Sequence, residues 1–280
     1  ITGYYGDVVA EYGLQDALLD EVLTPYNYYL NVVYLTERET ELYIRLSKTI
    51  GRLIAISSSK DNNALNNAIR KRNKIISNAE GKLRVLDGIL KSNLINEKSN
   101  TLFYVGEGRA GIDDDEDDFR DNTEDESSQL DEVAKVIKKN GWKVSAFTAK
   151  ESKADRKKIM NSFVDGSIDG LVSMRVLDEG IDIPKCQRAF ILASSRNKRQ
   201  FIQRRGRILR RFKGKKLAHI YDFFVVPSLS LRDKSCISLV ENELRRAMDF
   251  VFLSNNRNDC MADAKEVAGK FQIDVMELKL

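Results

Sequence analysis

The chain has 280 residues, 42% hydrophobic and 31% charged, which fits a globular protein with one large or two modest cores and excludes a low-complexity or fibrous chain. Its formal charge of +4 is the small difference between 46 Lys and Arg and 42 Asp and Glu, so only the placing of the charges can speak about partners. No apolar run approaches the roughly 20 residues that cross a bilayer, and Ile1-Thr2-Gly3-Tyr4-Tyr5-Gly6 lacks the regions of a signal peptide. Cys186, Cys236 and Cys260 are far apart and match no metal spacing; they are expected to be reduced thiols in a cytoplasmic protein with no metal site. The chain starts without Met and in mid-pattern, as a piece of a longer protein would.

In chain order, residues 7–12 suit a short strand and 14–23 an amphipathic helix stopped before Pro25. Residues 28–34 alternate as a strand does, and Thr36 with Glu39 forms a capping-box signature that opens a helix towards Ile56. After a polar break at 57–63, residues 66–78 and 81–94 read as helices rich in Lys, Arg and Asn. Arg70, Lys71, Arg72 and Lys74 suit either a solvated helix face or a nucleic-acid backbone. Residues 101–106 form a buried strand. The carboxylate-rich stretch 108–128 is expected to be a solvated insertion without calcium-loop spacing. A helix through Leu130, Val133, Ala134 and Ile137, a strand at 144–148, and a helix capped by Ser152 follow.

The stretch 171–216 organises the rest. Leu171-Val172-Ser173-Met174 is a strand covered on both faces, and the acidic turn after it, through Glu179, Gly180 and Asp182, lies at the carboxyl end of that strand, where open α/β sheets place their ligand chemistry. A second strand at 188–193 leads to a basic helix in which Phe201, Ile202, Ile208 and Leu209 share a buried face, leaving Gln203, Arg204, Arg207 and Arg210 on or near the other side. From Arg196 to Lys216 there is no Asp or Glu, so a positive field suited to phosphate is expected there. Another buried strand, 217–225, carries the only histidine, His219, whose surroundings suggest a structural role. Amphipathic helices at 229–252 and 264–271 end the chain; they suit packing on this unit or holding another domain. Strand and helix alternate as in a doubly wound parallel sheet.

Val176-Leu177-Asp178-Glu179-Gly180-Ile181-Asp182 resembles motif V of superfamily-two helicases, and Gln203-Arg204-Arg205-Gly206-Arg207-Ile208-Leu209-Arg210 resembles their motif VI. Thr101-Leu102-Phe103-Tyr104-Val105-Gly106 is similar to motif IV. The run Arg199-Gln200-Phe201-Ile202-Gln203-Arg204 is most similar to XPB-like DEAD/DEAH-box helicases and their relatives in restriction and phage-defence systems. The resemblance implies the second, RecA-like lobe of an ATP-dependent DNA helicase or translocase, with additional N-terminal and C-terminal helices. The expected division is 1–98 as an inter-lobe connector and helical region, 99–228 as the RecA-like domain, and 229–280 as a helical tail. It implies that Arg207 and Arg210 are arginine fingers, that Gln203 positions water or phosphate, and that Glu179, Gly180, Asp182 and Arg204 face ATP. Thr148 and Arg175 fall where the family contacts the nucleic-acid strand, although Ala149 replaces the glycine usual beside that threonine. Arginine suits the finger role because phosphoryl transfer is helped chiefly by fixed cations at the developing charge, and a guanidinium stays charged and offers a planar fork.

The sequence has no G-x-x-x-x-G-K-[ST] loop and no Asp-Glu pair for Mg²⁺; Gly106-Glu107-Gly108-Arg109-Ala110-Gly111 lacks the Lys and Ser or Thr. ATP and Mg²⁺ are therefore expected to bind mainly to a first motor lobe in cis, and this chain alone is expected to be inactive. DNA is the expected polymer, with RNA also open, no membrane, and a nuclease or defence-system partner possible for such a motor. A stand-alone α/β nucleic-acid-binding module is the alternative reading.

Overall fold

The computed structural model describes residues 13–56, 62–92, 95, 97–106, 123–148, 151–174, 183, 185–193 and 206–278. Six parallel strands form one sheet: β1 (Tyr26–Tyr34), β2 (Thr101–Tyr104), β3 (Val144–Phe147), β4 (Gly170–Ser173), β5 (Arg188–Ile191) and β6 (Ala218–Val226), in the order β1-β6-β5-β2-β4-β3. The helices are α1 (Leu14–Leu19), α2 (Glu37–Ile56), α3 (Asn62–Ser77), α4 (Gly81–Lys91), α5 (Thr123–Lys139), α6 (Lys153–Asp165), α7 (Lys234–Val251) and α8 (Arg257–Lys270).

The middle strands β2, β4 and β5 are apolar at their centres because both faces are covered. Leu102, Tyr104, Ile191, Ile220 and Phe224 face a core shared with Phe163 of α6, Val240, Leu244 and Met248 of α7, and Ala264 of α8. The intervening residues, Phe103, Phe190 and Tyr221 among them, face Leu86 and Leu90 of α4 and Val133 and Ile137 of α5. On that second face the register lines up Phe103, Phe190, Tyr221 and Tyr29 across β2, β5, β6 and β1, their rings stacked at 4.8, 4.7 and 4.6 Å. Such stacked pairs add to the area they bury.

Two helix starts follow the sequence. Thr36 accepts the Glu39 N–H at 3.2 Å while the Glu39 carboxylate accepts the Thr36 N–H at 2.8 Å, and Ser152 Oγ accepts the Asp155 N–H at 3.1 Å. Others differ. α1 ends at Leu19 rather than 23, because Leu23 turns back to donate its N–H to the Ala17 carbonyl at 2.9 Å. α5 begins at Thr123, inside the stretch expected to be loop. An acidic run suits the opening turn of a helix, where the dipole favours negative charge, so composition alone set that start too late.

β1 pairs with β6 along its whole length, so the region ahead of residue 99 contributes a strand to the same sheet. The C-terminal helices also pack on this unit. Their connecting turn covers the outer edge of β1: Asn256 accepts the Tyr28 N–H at 2.9 Å and donates to the Tyr28 carbonyl at 2.8 Å, and the Asn255 N–H meets the Tyr26 carbonyl at 2.8 Å. Among the described residues no helix is long and apolar enough to cross a membrane.

Candidate functional site

The basic segment closes in a helical turn at 206–208, and Ile208 and Leu209 that follow one another there are fully buried. This is the burial expected for them; Phe201 and Ile202 lie outside the described residues. Arg207 is partly exposed and Arg210 exposed. The helix does not continue to Arg210, so the two arginines do not share one helical face as expected. Arg210 instead forms an antiparallel bridge with Leu23. The physical reason is competition for carbonyls: the Thr24 N–H donates to the Leu209 carbonyl at 2.7 Å, and the Thr24 hydroxyl to that of Arg210 at 3.3 Å.

Lys215 completes this arrangement from inside. Its ammonium donates to the carbonyls of Ile208 and Arg210, the latter at 3.2 Å, although only 9% of the residue is exposed. A cation over the last carbonyls of a helical turn satisfies acceptors that the turn itself leaves open. Burial lowers the pKa of this amine, and the nearby Cys186 opposes the shift. Beyond Lys215 the Ala218 N–H donates to the Pro25 carbonyl at 2.9 Å, which begins the β1–β6 ladder. Thr24 and Pro25 therefore hold both ends of the loop that carries Arg210 and Lys215. An ion pair from Arg211 to Glu21 at 3.2 Å lies on the surface and adds little.

Thr148 lies elsewhere. It follows β3, at the carboxyl end of the opposite edge strand, whereas Arg207 and Arg210 precede β6 at its amino end. In an all-parallel sheet these are opposite ends, and the structure does not bring the groups together. Thr148 is buried, and the Glu151 carboxylate accepts both its N–H at 2.6 Å and its hydroxyl at 2.9 Å. At the same end Gly106 packs so closely that an added Cβ would come within 2.8 Å of the Ala193 Cβ. Glu179, Gly180, Asp182, Arg175, Gln203 and Arg204 lie outside the described residues. His219 stacks on Tyr29 and has its Nδ1 3.2 Å from the Tyr29 hydroxyl. Among the described residues no three His, Cys, Asp or Glu side chains gather to hold a metal ion, and the three cysteines are buried thiols.

A buried ionic group under β6 escaped the sequence reasoning. Asp222, wholly buried, receives the Tyr28 hydroxyl at 2.5 Å and one guanidinium nitrogen of Arg246; the other nitrogen of Arg246 meets Glu243 at 2.9 Å. Burial opposes the charge on Arg246, but Asp222 and Glu243 outweigh it and raise its pKa. Burial and then Asp222 raise that of Tyr28. Lys82, 4% exposed, donates to the Ser77 carbonyl at 2.9 Å, and burial lowers its pKa to about 7. The available signal was a single carboxylate within the apolar run 217–225.

Residues 120–212 match the Helicase conserved C-terminal domain family. A DNA 3'-5' translocase XPB2 of Sulfurisphaera tokodaii is 40% identical over 68 residues, 24% of this chain and 16% of the relative. A Putative helicase 22 of a Sulfolobus islandicus filamentous virus is 24% identical over 112 residues, 40% of this chain and 20% of the relative. The matched stretches thus span a small part of these relatives' own length. In structure the chain is similar to the C-terminal part of the Fun30 ATPase domain, with a TM-score of 0.51, 13% identity, and 81% of this chain and 98% of that one covered. It is also similar to the Sulfolobus solfataricus SWI2/SNF2 ATPase core in complex with dsDNA, with a TM-score of 0.53, 14% identity, and 72% and 41% covered. The fold is that of a RecA-like helicase C-terminal lobe.

Proposed function

We propose that this chain is the C-terminal motor lobe of an ATP-dependent DNA helicase or translocase of superfamily two. The observation that carries the reading is the arginine pair Arg207 and Arg210, inside the matched helicase domain and flanking the buried Ile208 and Leu209, with Arg207 partly exposed and Arg210 exposed. ATP with Mg²⁺, bound mainly by a first lobe in cis, supplies the phosphoanhydride bond that is cleaved. Arg207 and Arg210 place two permanent cations against its phosphate oxygens when the lobes close, and Gln203 orients water or phosphate beside them. Glu179, Gly180, Asp182 and Arg204 are assigned to the nucleotide by their resemblance to motifs V and VI.

Contacts to the nucleic-acid backbone, which carry no sequence information, are assigned to Thr148, at the carboxyl end of β3, and to Arg175. DNA is favoured because the relatives' names specify a DNA translocase and a complex with dsDNA. The wording of residues 199–204 supports a restriction- or defence-associated motor that serves a nuclease partner.

ATP hydrolysis by the full-length parent protein, with duplex DNA, single-stranded DNA or RNA added, tests this. DNA-stimulated turnover that Arg207→Ala abolishes while ATP still binds is the expected result, and stimulation by RNA alone would move the substrate to RNA. Turnover indifferent to Arg207→Ala would leave a nucleic-acid-binding module in place of a motor.

A further inference from the structure

We infer that Lys215 and Thr24 are positioning residues for the arginine pair, coupling the chain that enters the sheet at Tyr26 to the peptide that carries Arg207 and Arg210. The inference rests on the reading that this pair meets the phosphates of ATP. The backbone from Ile208 to Arg210 leaves its helical path just where a finger must be aimed, and its carbonyls are all held from outside: Ile208 by Lys215, Leu209 by the Thr24 N–H, and Arg210 by both Lys215 and the Thr24 hydroxyl. One partner lies behind the loop and the other on the incoming chain, so the segment is braced on two sides. The Leu23 bridge to Arg210 extends the brace upstream. A shift of residues 23–25 is thereby passed to Arg210 through hydrogen bonds and not through a slack loop. Lys215 serves as the fixed point, since a lysine only 9% exposed would lose acceptors for its ammonium if those carbonyls moved away.

Small displacements of a positioned group cost rate steeply, on the order of a hundredfold for about 1 Å. Both residues bond to the backbone of the arginine segment, so their loss should act on kcat and spare the binding of ATP by the other lobe.

The test uses the full-length parent protein with saturating duplex DNA, comparing Lys215→Met, Lys215→Arg, Thr24→Val, Thr24→Ser and Arg207→Ala, with kcat corrected for the folded fraction. The expected result is a fall in kcat of about tenfold for Lys215→Met with KM for ATP unchanged within about twofold, and partial recovery in Lys215→Arg, which keeps donors there. A merely structural lysine would lower the melting temperature and leave the corrected kcat alone, which overturns the inference. Should Lys215→Met fail to fold, the threonine decides: a lower kcat in Thr24→Val restored in Thr24→Ser supports the brace, and an unchanged kcat in Thr24→Val overturns it. If Arg207→Ala loses turnover but Lys215→Met and Thr24→Val keep it, only the positioning roles are wrong. If Arg207→Ala is also without effect, the motor reading fails and the brace fails with it.

Discussion

Arg246 of α7 and Asp222 of β6 form an ion pair inside the protein, with a side-chain exposure of 10% for the arginine and none for the aspartate. Because Tyr28 and Glu243 share the two charges, the cluster ties β1, β6 and α7 into one unit. Removing one partner strands the other charge away from water. Arg246→Met is expected to lower stability by about 3–5 kcal/mol in urea unfolding, and replacing Arg246, Asp222 and Glu243 together by apolar residues of similar volume by much less. A loss below about 1 kcal/mol for Arg246→Met would show that the cluster is hydrated.

Lys82 gives a pH signature of defined sign. Its folded pKa of about 7 lies below the ordinary 10.5, chiefly through burial, with Arg246 adding to the depression and Glu243, Asp222 and Glu39 opposing it. The unfolded chain therefore binds the proton more readily, and unfolding takes one up between about pH 7 and 10. The Lys82 contribution makes stability rise with pH across that window, by up to about 1.4 kcal/mol per pH unit. Cysteines and tyrosines titrate nearby, so the quantity to measure is the difference between the native protein and Lys82→Met, which should diminish as pH rises.

Gly170 opens β4 between two strands, and a Cβ there would come within 2.8 Å of the Thr101 carbonyl oxygen and 3.0 Å of the Phe103 ring. Backbone cannot step aside as a side chain can. Gly170→Ala is expected to cost about 1–3 kcal/mol, read from the urea midpoint, despite the better strand packing of alanine elsewhere.

Glu39 closes the capping box with Thr36 and also accepts the Glu80 N–H at 3.0 Å, on its other oxygen. It thus joins the starts of α2 and α4. Thr36→Ala should cost about 1 kcal/mol, and Glu39→Ala more than that because two termini lose an acceptor. Equal losses in the two variants would mean that the link to Glu80 contributes nothing.

What the sequence made legible was local. Apolar runs marked β2, β4, β5 and β6, and Thr36 and Ser152 marked helix starts, since each depends on neighbours within a few residues. The place of β1 beside β6 depends on pairing residues almost two hundred positions apart, which no local pattern carries. The aromatic row through Phe103, Phe190, Tyr221 and Tyr29 likewise exists only once strand order and register are known. In the candidate site, Ile208 and Leu209 announced their burial, whereas the departure of Arg210 from the helix was set by Thr24 and Lys215, one distant in sequence and the other an ordinary-looking lysine among many. Asp222 was visible but mute until Tyr28 and Arg246 stood beside it.

The junction of β1 and β6 bears on how the unit could ever be separated from its neighbours. A fragment starting at residue 99 would keep the matched helicase domain yet strip nine residues of partner from β6, and it would leave Asn255, Asn256 and Cys260 without the Tyr26 and Tyr28 carbonyls they now meet. A bared, apolar strand of that length is a template for another chain. Such a fragment would borrow the missing strand from a second molecule, and self-association would then reflect where the cut was made and not the native assembly.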